Sequence, residues 1–291
     1  MNKKENLYGY IFLLPSLMGL TVFLLFPVLF SLILSFCEWD LISGINSIKF
    51  VGLNNFMQLM NDQWFTDSLR NNFIFTIVVV PLTLSAALAL ALALNSKVFF
   101  KEYIRLFYFM PYISNIVAVT VVWMAMFEFS NGPINNMLKS IGIANPPGWL
   151  TSPKWALWTI ILLVIWHGIG YCMIIYIAAL QNIPNELYEA CEIDGGSSIA
   201  KFLYVTFPML SPTNFFLFVT RIIVSFQVFT PIKIMTQGGP GSSTTVLVYQ
   251  IYREAFSFYK MGYASSIAWI LFVIIFIITL IQFRQQKSWE A

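Results

Sequence analysis

Six long apolar runs dominate this sequence and limit the folds that it can adopt. Each run is at least 22 residues long. The runs cover 8–36, 73–94, 106–127, 155–180, 207–232 and 261–283. A transmembrane helix needs about 20 apolar residues, whereas a barrel strand needs only about 10 residues of alternating polarity. The sequence therefore predicts an all-α membrane protein with six transmembrane helices.

Composition favours the same class. Hydrophobic residues make up 58% of the 291 residues and charged residues 10%, whereas soluble domains carry about 25% charged residues. A net charge of +3 is too small to indicate a nucleic-acid partner. The cysteines Cys37, Cys172 and Cys191 are scattered and follow no disulfide or metal-ligand pattern. We expect them to be small buried side chains.

The chain is predicted to begin with a retained span. The first run follows Lys3, Lys4 and Glu5, but it is much longer than the 7–15 apolar residues of a signal peptide. We therefore divide the chain into a first span with an outer loop (1–70), a core of five spans (71–284) and a tail (285–291). Within the last outer segment, VLVYQIYREAF (246–256) predicts a short helix lying on the outer surface.

The basic residues favour a cytoplasmic amino terminus. In that orientation the inner segments hold eight Lys and Arg residues against seven outside, and the inner ones crowd the span ends, where the positive-inside rule applies. The inner set is Lys3, Lys4, Lys97, Lys101, Arg105, Lys201, Arg284 and Lys287. Six spans then place both termini in the cytoplasm, together with the connection at 184–206.

That connection carries more acid than a plain turn needs. The stretch PNELYEACEIDGGSSIAKFLYVTFPMLSP (184–212) holds Glu186, Glu189, Glu192 and Asp194. Pro184 suits the first turn of a helix, and glycines at 195 and 196 suit its left-handed end. Ser197 then caps a second helix, which we expect Pro208 to limit. This order of residues predicts a helix, a glycine turn and a helix that a partner grips.

The same stretch resembles the EAA loop of binding-protein-dependent ABC importer permeases, whose core reads E-A-A-x-x-D-G-A/G. The matching positions are Glu189, Ala190, Cys191, Asp194, Gly195 and Gly196. Cys191 replaces the second alanine, which exchanges one small side chain for another. The resemblance extends over nearly the whole chain to the carbohydrate-uptake branch of that family, through FLLPSLMGL, FVGLNNF, FYFMPYI, SFQVF, TQGGPG and GYASS.

This resemblance implies a type I ABC importer permease in a bacterial plasma membrane. The loop at 184–206, hereafter the coupling loop, would dock into a cleft on an ATPase subunit. The implied partners are a second permease, two ATPase subunits, an external solute-binding protein and a sugar. The sequence contains no G-x-x-x-x-G-K-[ST] motif, so this chain is not the ATPase. We expect it to bind no cofactor, with ATP and Mg on the partner ATPases.

A substrate path is predicted from polar residues within the spans. His167 and Tyr171 lie four residues apart and therefore share a helix face beside Gly168. WHGIGY and SFQVF also resemble segments that line the sugar site of the maltose-type permease, which implies roles for Gly168, Tyr171, Phe226 and Gln227. Two alternatives stay open, since His167 could be a helix–helix partner and the paired permease could hold the sugar.

Arg221 is the single formal charge inside the six runs. We predict a structural role for it, either reaching the cytoplasmic edge or pairing with an acid of the partner permease. An ion-driven secondary transporter is a rival function, but the runs contain no Asp or Glu to bind the ion. A membrane enzyme would need a catalytic cluster. An ABC permease for a peptide or phosphate ester is the nearest alternative.

Overall fold

The computed structural model of the protein describes residues 3–95 and 99–286, with side chains for 12–95 and 99–284. Several residues of the sequence argument lie outside this description. They are Lys97, Lys287, the side chains of Lys3 and Lys4, and residues 287–291 of the predicted tail.

The first half of the chain is helical except for a two-stranded hairpin. Its helices are α1 Lys3–Leu20, α2 Phe26–Ser35, α3 Asn54–Asn61, α4 Gln63–Asn95, α5 Lys101–Ile113, α6 Ile116–Met126 and α7 Pro133–Ser140. A π-helical turn, Thr21–Leu25, joins α1 to α2. The antiparallel strands β1 Cys37–Glu38 and β2 Lys49–Phe50 pair after α2, with 3-10 turns at Leu41–Ser43 and Ile45–Ser47 between them.

In the described part of the second half, helices are joined by turns and irregular segments. Its helices are α8 Ala156–Gln181, α9 Asn185–Ile193, α10 Ser198–Lys201, α11 Phe207–Met209, α12 Ser211–Phe226, α13 Thr230–Met235, α14 Leu247–Tyr252 and α15 Met261–Gln286. π-Helical turns follow α10 and α14 at Phe202–Thr206 and Arg253–Ser257.

Among the described residues, five helical segments are long and apolar enough to cross a membrane. They are Phe12–Ser35, Gln63–Asn95, Ala156–Gln181, Ser211–Met235 and Met261–Arg284. The predicted run at 106–127 is instead divided between α5 and α6, which are bent by 97° at a short break. Counting this bent pair as one span gives the predicted six.

The bend has a local cause at the end of α5. Pro111 lies inside α5 and has no backbone N–H to donate, and Ser114 then leaves the helix with ψ of 148°. Asn115 starts α6 by accepting a hydrogen bond from the Val117 N–H at 2.8 Å. An apolar run with proline inside and asparagine as cap therefore forms two helices instead of one.

The chain forms two compact units, of which the first contains Met1–Gln63 and Gln250–Val273. Its interior is organised by amide and hydroxyl side chains. Asn55 donates to the carbonyls of Ser35 and Cys37 at 2.9 Å each, which fixes the start of the hairpin against α3. The Tyr263 hydroxyl donates to Asp62 Oδ2 at 2.6 Å, and this bond ties α15 to the residue that follows α3.

The second unit contains Trp64–Tyr249 and Ile274–Ala291. Its core lies where α4, α8 and α12 meet around Tyr176, which is 2% exposed. Apolar residues of these helices surround it, including Ala87, Met173 and Leu217. The Tyr176 hydroxyl donates to Asn214 Oδ1 at 2.8 Å, so the buried polar atom is satisfied.

Two asparagines of α4 form hydrogen bonds with the backbone of the segment at 242–247. Asn71 donates to the carbonyls of Ser242 and Thr245 at 2.9 Å each. Asn72 accepts from the Leu247 N–H at 2.8 Å. A helix does begin at Leu247, but that residue is 0% exposed. The predicted short helix is thus present, and its first residue packs inside the protein. Its location on the outer side of the membrane stays a prediction.

Candidate functional site

The coupling loop begins with a short exposed helix. Pro184 is the extended residue before α9, one position earlier than predicted, and Glu186 occupies the first turn. An acidic side chain there is stabilised by the positive end of the helix. Glu189, Ala190 and Asp194 are all exposed. The helix therefore presents its acidic and small side chains to a partner.

Two glycines make the turn that ends α9. Gly195 has a φ of +78°, a conformation that favours glycine, and its N–H donates to the Glu192 carbonyl at 2.9 Å. The Gly196 N–H donates to the Cys191 carbonyl at 2.8 Å. A side chain at Gly196 would collide with Cys191, its Cβ lying 2.7 Å from that carbonyl oxygen. Each glycine is thus required for a different reason.

The second helical run restarts at once after this turn. The Ser197 hydroxyl accepts from the Ala200 N–H at 3.3 Å and caps α10, as predicted from its position. Lys201 pairs with Glu192 and so joins α10 to α9. Pro208 does not end this run, contrary to our expectation. The π-helical turn Phe202–Thr206 directly precedes it, and the backbone remains right-handed helical at Thr206, Phe207 and Leu210.

Helix α9 is also joined to the membrane core. The hydroxyls of Tyr188 and Thr206 lie 3.1 Å apart and form a hydrogen bond. Tyr188 and Cys191 both pack against the core cluster around Tyr176. Helix α9 is therefore connected to the core of this unit by a hydrogen bond and by apolar packing.

Exposed apolar side chains on this loop were missed by sequence reasoning, which considered its acids only. Ile193 is 86% exposed and Ile199 71% exposed. Both side chains are therefore accessible to a partner. The signal was available in the sequence as isoleucines within an otherwise polar stretch.

A second group of candidate residues lies near the middle of α8. His167 and Tyr171 share one face, as predicted, and Tyr112 of α5 lies against both rings. The Tyr112 ring centroid is 5.8 Å from that of His167 and 4.8 Å from that of Tyr171. Tyr112 was missed, because sequence alone does not show that α5 crosses α8 at this point.

Arg221 of α12 completes this group. Its Nε donates to Cys172 Sγ at 3.0 Å and its Nη2 to the Gly168 carbonyl at 2.9 Å. The guanidinium carbon lies 4.9 Å from the centre of the Tyr171 ring. The arginine is thus held against the middle of α8. We refer to Tyr112, His167, Gly168, Tyr171 and Arg221 as the α8 cluster.

Phe226 and Gln227 have different surroundings. Phe226 is 1% exposed and stacks edge-on against Phe73, with ring centroids 5.5 Å apart. Gln227 is exposed at the end of α12. Contact of these two residues with a substrate stays a prediction.

A cavity of about 390 Å³ lies in the same unit. Its lining includes Asp67, Arg70, Lys154 and Trp158. Asp67 accepts a hydrogen bond from the Ser242 hydroxyl. The described residues contain no group of three His, Cys, Asp or Glu side chains able to hold a metal ion.

Comparisons with known proteins agree on one family. A model described as "Binding-protein-dependent transport system inner membrane component" matches residues 83–290. The lactose transport system permease protein LacF of Rhizobium radiobacter is 38% identical over 99% of this chain and 97% of its own length. The probable ABC transporter permease protein YesP of Bacillus subtilis is 37% identical, over 99% and 93%.

A solved structure has a similar fold. A chain of a bacterial ABC transporter involved in the import of the acidic polysaccharide alginate superposes with a TM-score of 0.86. It is 23% identical, and the match covers 98% of this chain and 96% of that chain. At this identity the likeness concerns the fold alone.

Proposed function

This chain belongs to the family of binding-protein-dependent transport system inner membrane components, and we propose that it conducts a sugar or sugar derivative across the bacterial plasma membrane. Members of this family are multi-pass permease subunits and not enzymes, which agrees with the absence of a nucleotide-binding motif from the sequence. The sugar is supported by the lactose permease relative, which aligns with this chain along almost its whole length.

We place three kinds of partner protein around the chain. A solute-binding protein delivers the sugar at the outer loops, a second permease completes the pathway, and two ATPase subunits bind ATP and Mg in the cytoplasm. A solved alginate transporter of the same fold is in complex with an alginate pentasaccharide-bound periplasmic protein, which supports the first of these. The missing nucleotide motif supports separate ATPases.

In this proposal the coupling loop and both termini lie in the cytoplasm. The charge distribution of the sequence supports that orientation. So does the surface of the loop, since exposed Ile193 and Ile199 beside acidic side chains suit a protein partner. The exposure of these apolar side chains is the main observation that supports the proposed docking of an ATPase.

The proposed mechanism is mechanical coupling. Closure of the ATPases on ATP displaces α9, and the displacement passes through Tyr188 and Thr206 to the core of the permease. Because packed helices move as rigid bodies, the spans then rock and open the pathway alternately to each side. No covalent step is assigned to this chain.

Gly195→Pro tests the docking role. Proline has no N–H for the bond to Glu192 and cannot adopt a φ of +78°, so α9 should lose its ending. We expect the ATPase to fail to co-purify with the permease and sugar uptake to fall to background. Unchanged co-purification and wild-type uptake would contradict the role.

Gly142→Pro is the matched control. Gly142 follows α7 with a φ of +94°, and its N–H donates to the Lys139 carbonyl at 3.1 Å. The substitution therefore imposes similar strain on a segment that we place outside the cell. ATPase co-purification should remain at the wild-type level in this variant.

A further inference from the structure

Arg221 has unused binding capacity in a setting where charge is costly. A guanidinium has five N–H donors, and the observed bonds to Cys172 and Gly168 use two of them. Among the described residues, no carboxylate forms an ion pair with Arg221. An ionised side chain within a span normally pairs or faces a polar pathway.

Other polar atoms beside this arginine also lack partners. Thr83 Oγ1 and His167 Nε2 are buried without a hydrogen bond among the described residues. A Cβ at Gly168 would lie 3.2 Å from Arg221 Nη1 and 3.3 Å from Thr83 Cγ2, so threonine and arginine meet at this glycine. Buried polar atoms usually have partners. Three adjacent groups with unused capacity therefore indicate a polar ligand.

The remaining walls of the α8 cluster suit a carbohydrate. The rings of Tyr112 and Tyr171 lie 4.8 Å apart and tilt by 30°. Aromatic surfaces contact the C–H faces of a sugar, while a few fixed polar groups set its orientation. The His167 ring lies beside that of Tyr112, with centroids 5.8 Å apart, and His167 Nε2 has no hydrogen-bond partner among the described residues. Nε2 and Thr83 Oγ1 are placed to bind hydroxyl groups.

We propose that the α8 cluster binds an acidic sugar, with the guanidinium of Arg221 pairing with a uronate carboxylate. This inference rests on the proposed sugar-import function and specifies its substrate class. A planar guanidinium matches a carboxylate through two parallel hydrogen bonds. The position of Arg221 beside Tyr171 would then place the sugar ring against the aromatic pair.

The number of charges favours a carboxylate over a phosphate ester. Arg221 is the single Lys or Arg side chain within the six apolar runs of the sequence. A carboxylate carries one negative charge and is neutralised by this cation. A phosphate ester carries about 1.5 to 2 negative charges at pH 7 and would leave an excess inside the membrane.

The test compares sugars that differ in one group. The complete transporter with its binding protein is reconstituted into ATP-loaded vesicles. Uptake is measured for disaccharide pairs built on galacturonate and glucuronate, each beside its carboxyl-reduced, neutral counterpart. Wild-type protein should take up at least one acidic sugar more than about tenfold faster than its neutral counterpart. A tenfold difference corresponds to the free energy of one hydrogen bond to a charged group. Uptake confined to neutral members would overturn the inference.

Variants of the permease test whether Arg221 causes the preference for acidic sugars. Arg221→Gln should lower uptake of the acidic sugar by about tenfold and change uptake of the neutral sugar less than about twofold. Arg221→Lys keeps the charge but lacks the planar guanidinium, so its uptake of the acidic sugar should lie between that of the wild type and that of Arg221→Gln. Arg105→Gln is the control, since Arg105 donates to the Leu94 carbonyl and lies outside the cluster. It should keep the wild-type ratio of acidic to neutral uptake.

Two other results would contradict the inference in distinguishable ways. An equal loss for both sugars in Arg221→Gln, with the two permeases failing to co-purify, would assign Arg221 to an acid of the paired permease. An equal loss with intact assembly would give it a structural role. If no sugar of either kind enters with ATP and binding protein present, the sugar-import function itself fails.

Discussion

Gly168 and Gly170 lie two residues apart on α8, and each admits a different neighbour. At Gly170 a Cβ would collide with the Tyr108 carbonyl and lie 2.8 Å from Phe109 Cα, so the backbone of α5 lies directly against α8 there. At Gly168 the neighbours are the ends of flexible side chains, Arg221 among them. One glycine therefore sets a helix crossing, and the other leaves room for the guanidinium.

Gly170→Ala should destabilise the permease, because backbone atoms of α5 cannot move aside as a side chain can. Overpacking of this kind costs about 1–3 kcal/mol. Thermal unfolding of the purified protein in detergent should show a midpoint several degrees below the wild type. Gly19→Ala is the control, since a Cβ at Gly19 meets nothing within 4 Å. An unchanged midpoint in Gly170→Ala would contradict the close crossing.

At the residue scale, the sequence predicted which side chains share a face of α8 but did not predict the contacts that other helices make with them. The spacing of His167 and Tyr171 was sufficient to place them on one face. It could not bring Tyr112 or Arg221 to them, because those contacts depend on how α5 and α12 pack against α8. Phe226 was considered for its aromatic ring, but burial against Phe73 gives it a packing role that periodicity does not reveal.

Among the elements, the coupling loop was the most predictable, because its signals are local. The glycine turn and the Ser197 cap follow from residue types at fixed positions. Prolines were harder to interpret. Pro208 follows a π-helical turn and does not end its helical run, whereas Pro111 stands just before the 97° bend between α5 and α6. The effect of a proline depends on the hydrogen-bond pattern of the helix around it, which the apolar run alone does not show.

Tyr188→Phe tests whether α9 transmits movement through its bond to Thr206. The variant keeps the ring in the core but removes a hydrogen bond worth about 0.5–1.5 kcal/mol. We expect less sugar to enter for each ATP hydrolysed, measured as the ratio of uptake to ATPase rate in reconstituted vesicles. Tyr204→Phe is the control, as Tyr204 is 78% exposed on the helical run that contains Thr206. An identical ratio in both variants would contradict transmission through this bond.

At the scale of the whole molecule, composition and apolar runs predicted an all-α membrane protein, because the bilayer admits few alternatives. The same residues argue against an ion-driven transporter, since no Asp or Glu occurs in the six runs. The division into two compact units was not predicted at its observed boundary after Gln63. That boundary depends on contacts between residues distant in sequence, such as Asp62 with Tyr263.

The most direct test of a permease driven by separate ATPases is to measure which source of energy supports transport. Uptake of a sugar bound by the binding protein is measured in vesicles that contain the complete transporter, with ATP inside or with a proton or sodium gradient alone. Uptake should require both internal ATP and the external binding protein, and should stop when the ATPase subunits are omitted. Uptake driven by an ion gradient without ATP would contradict the account.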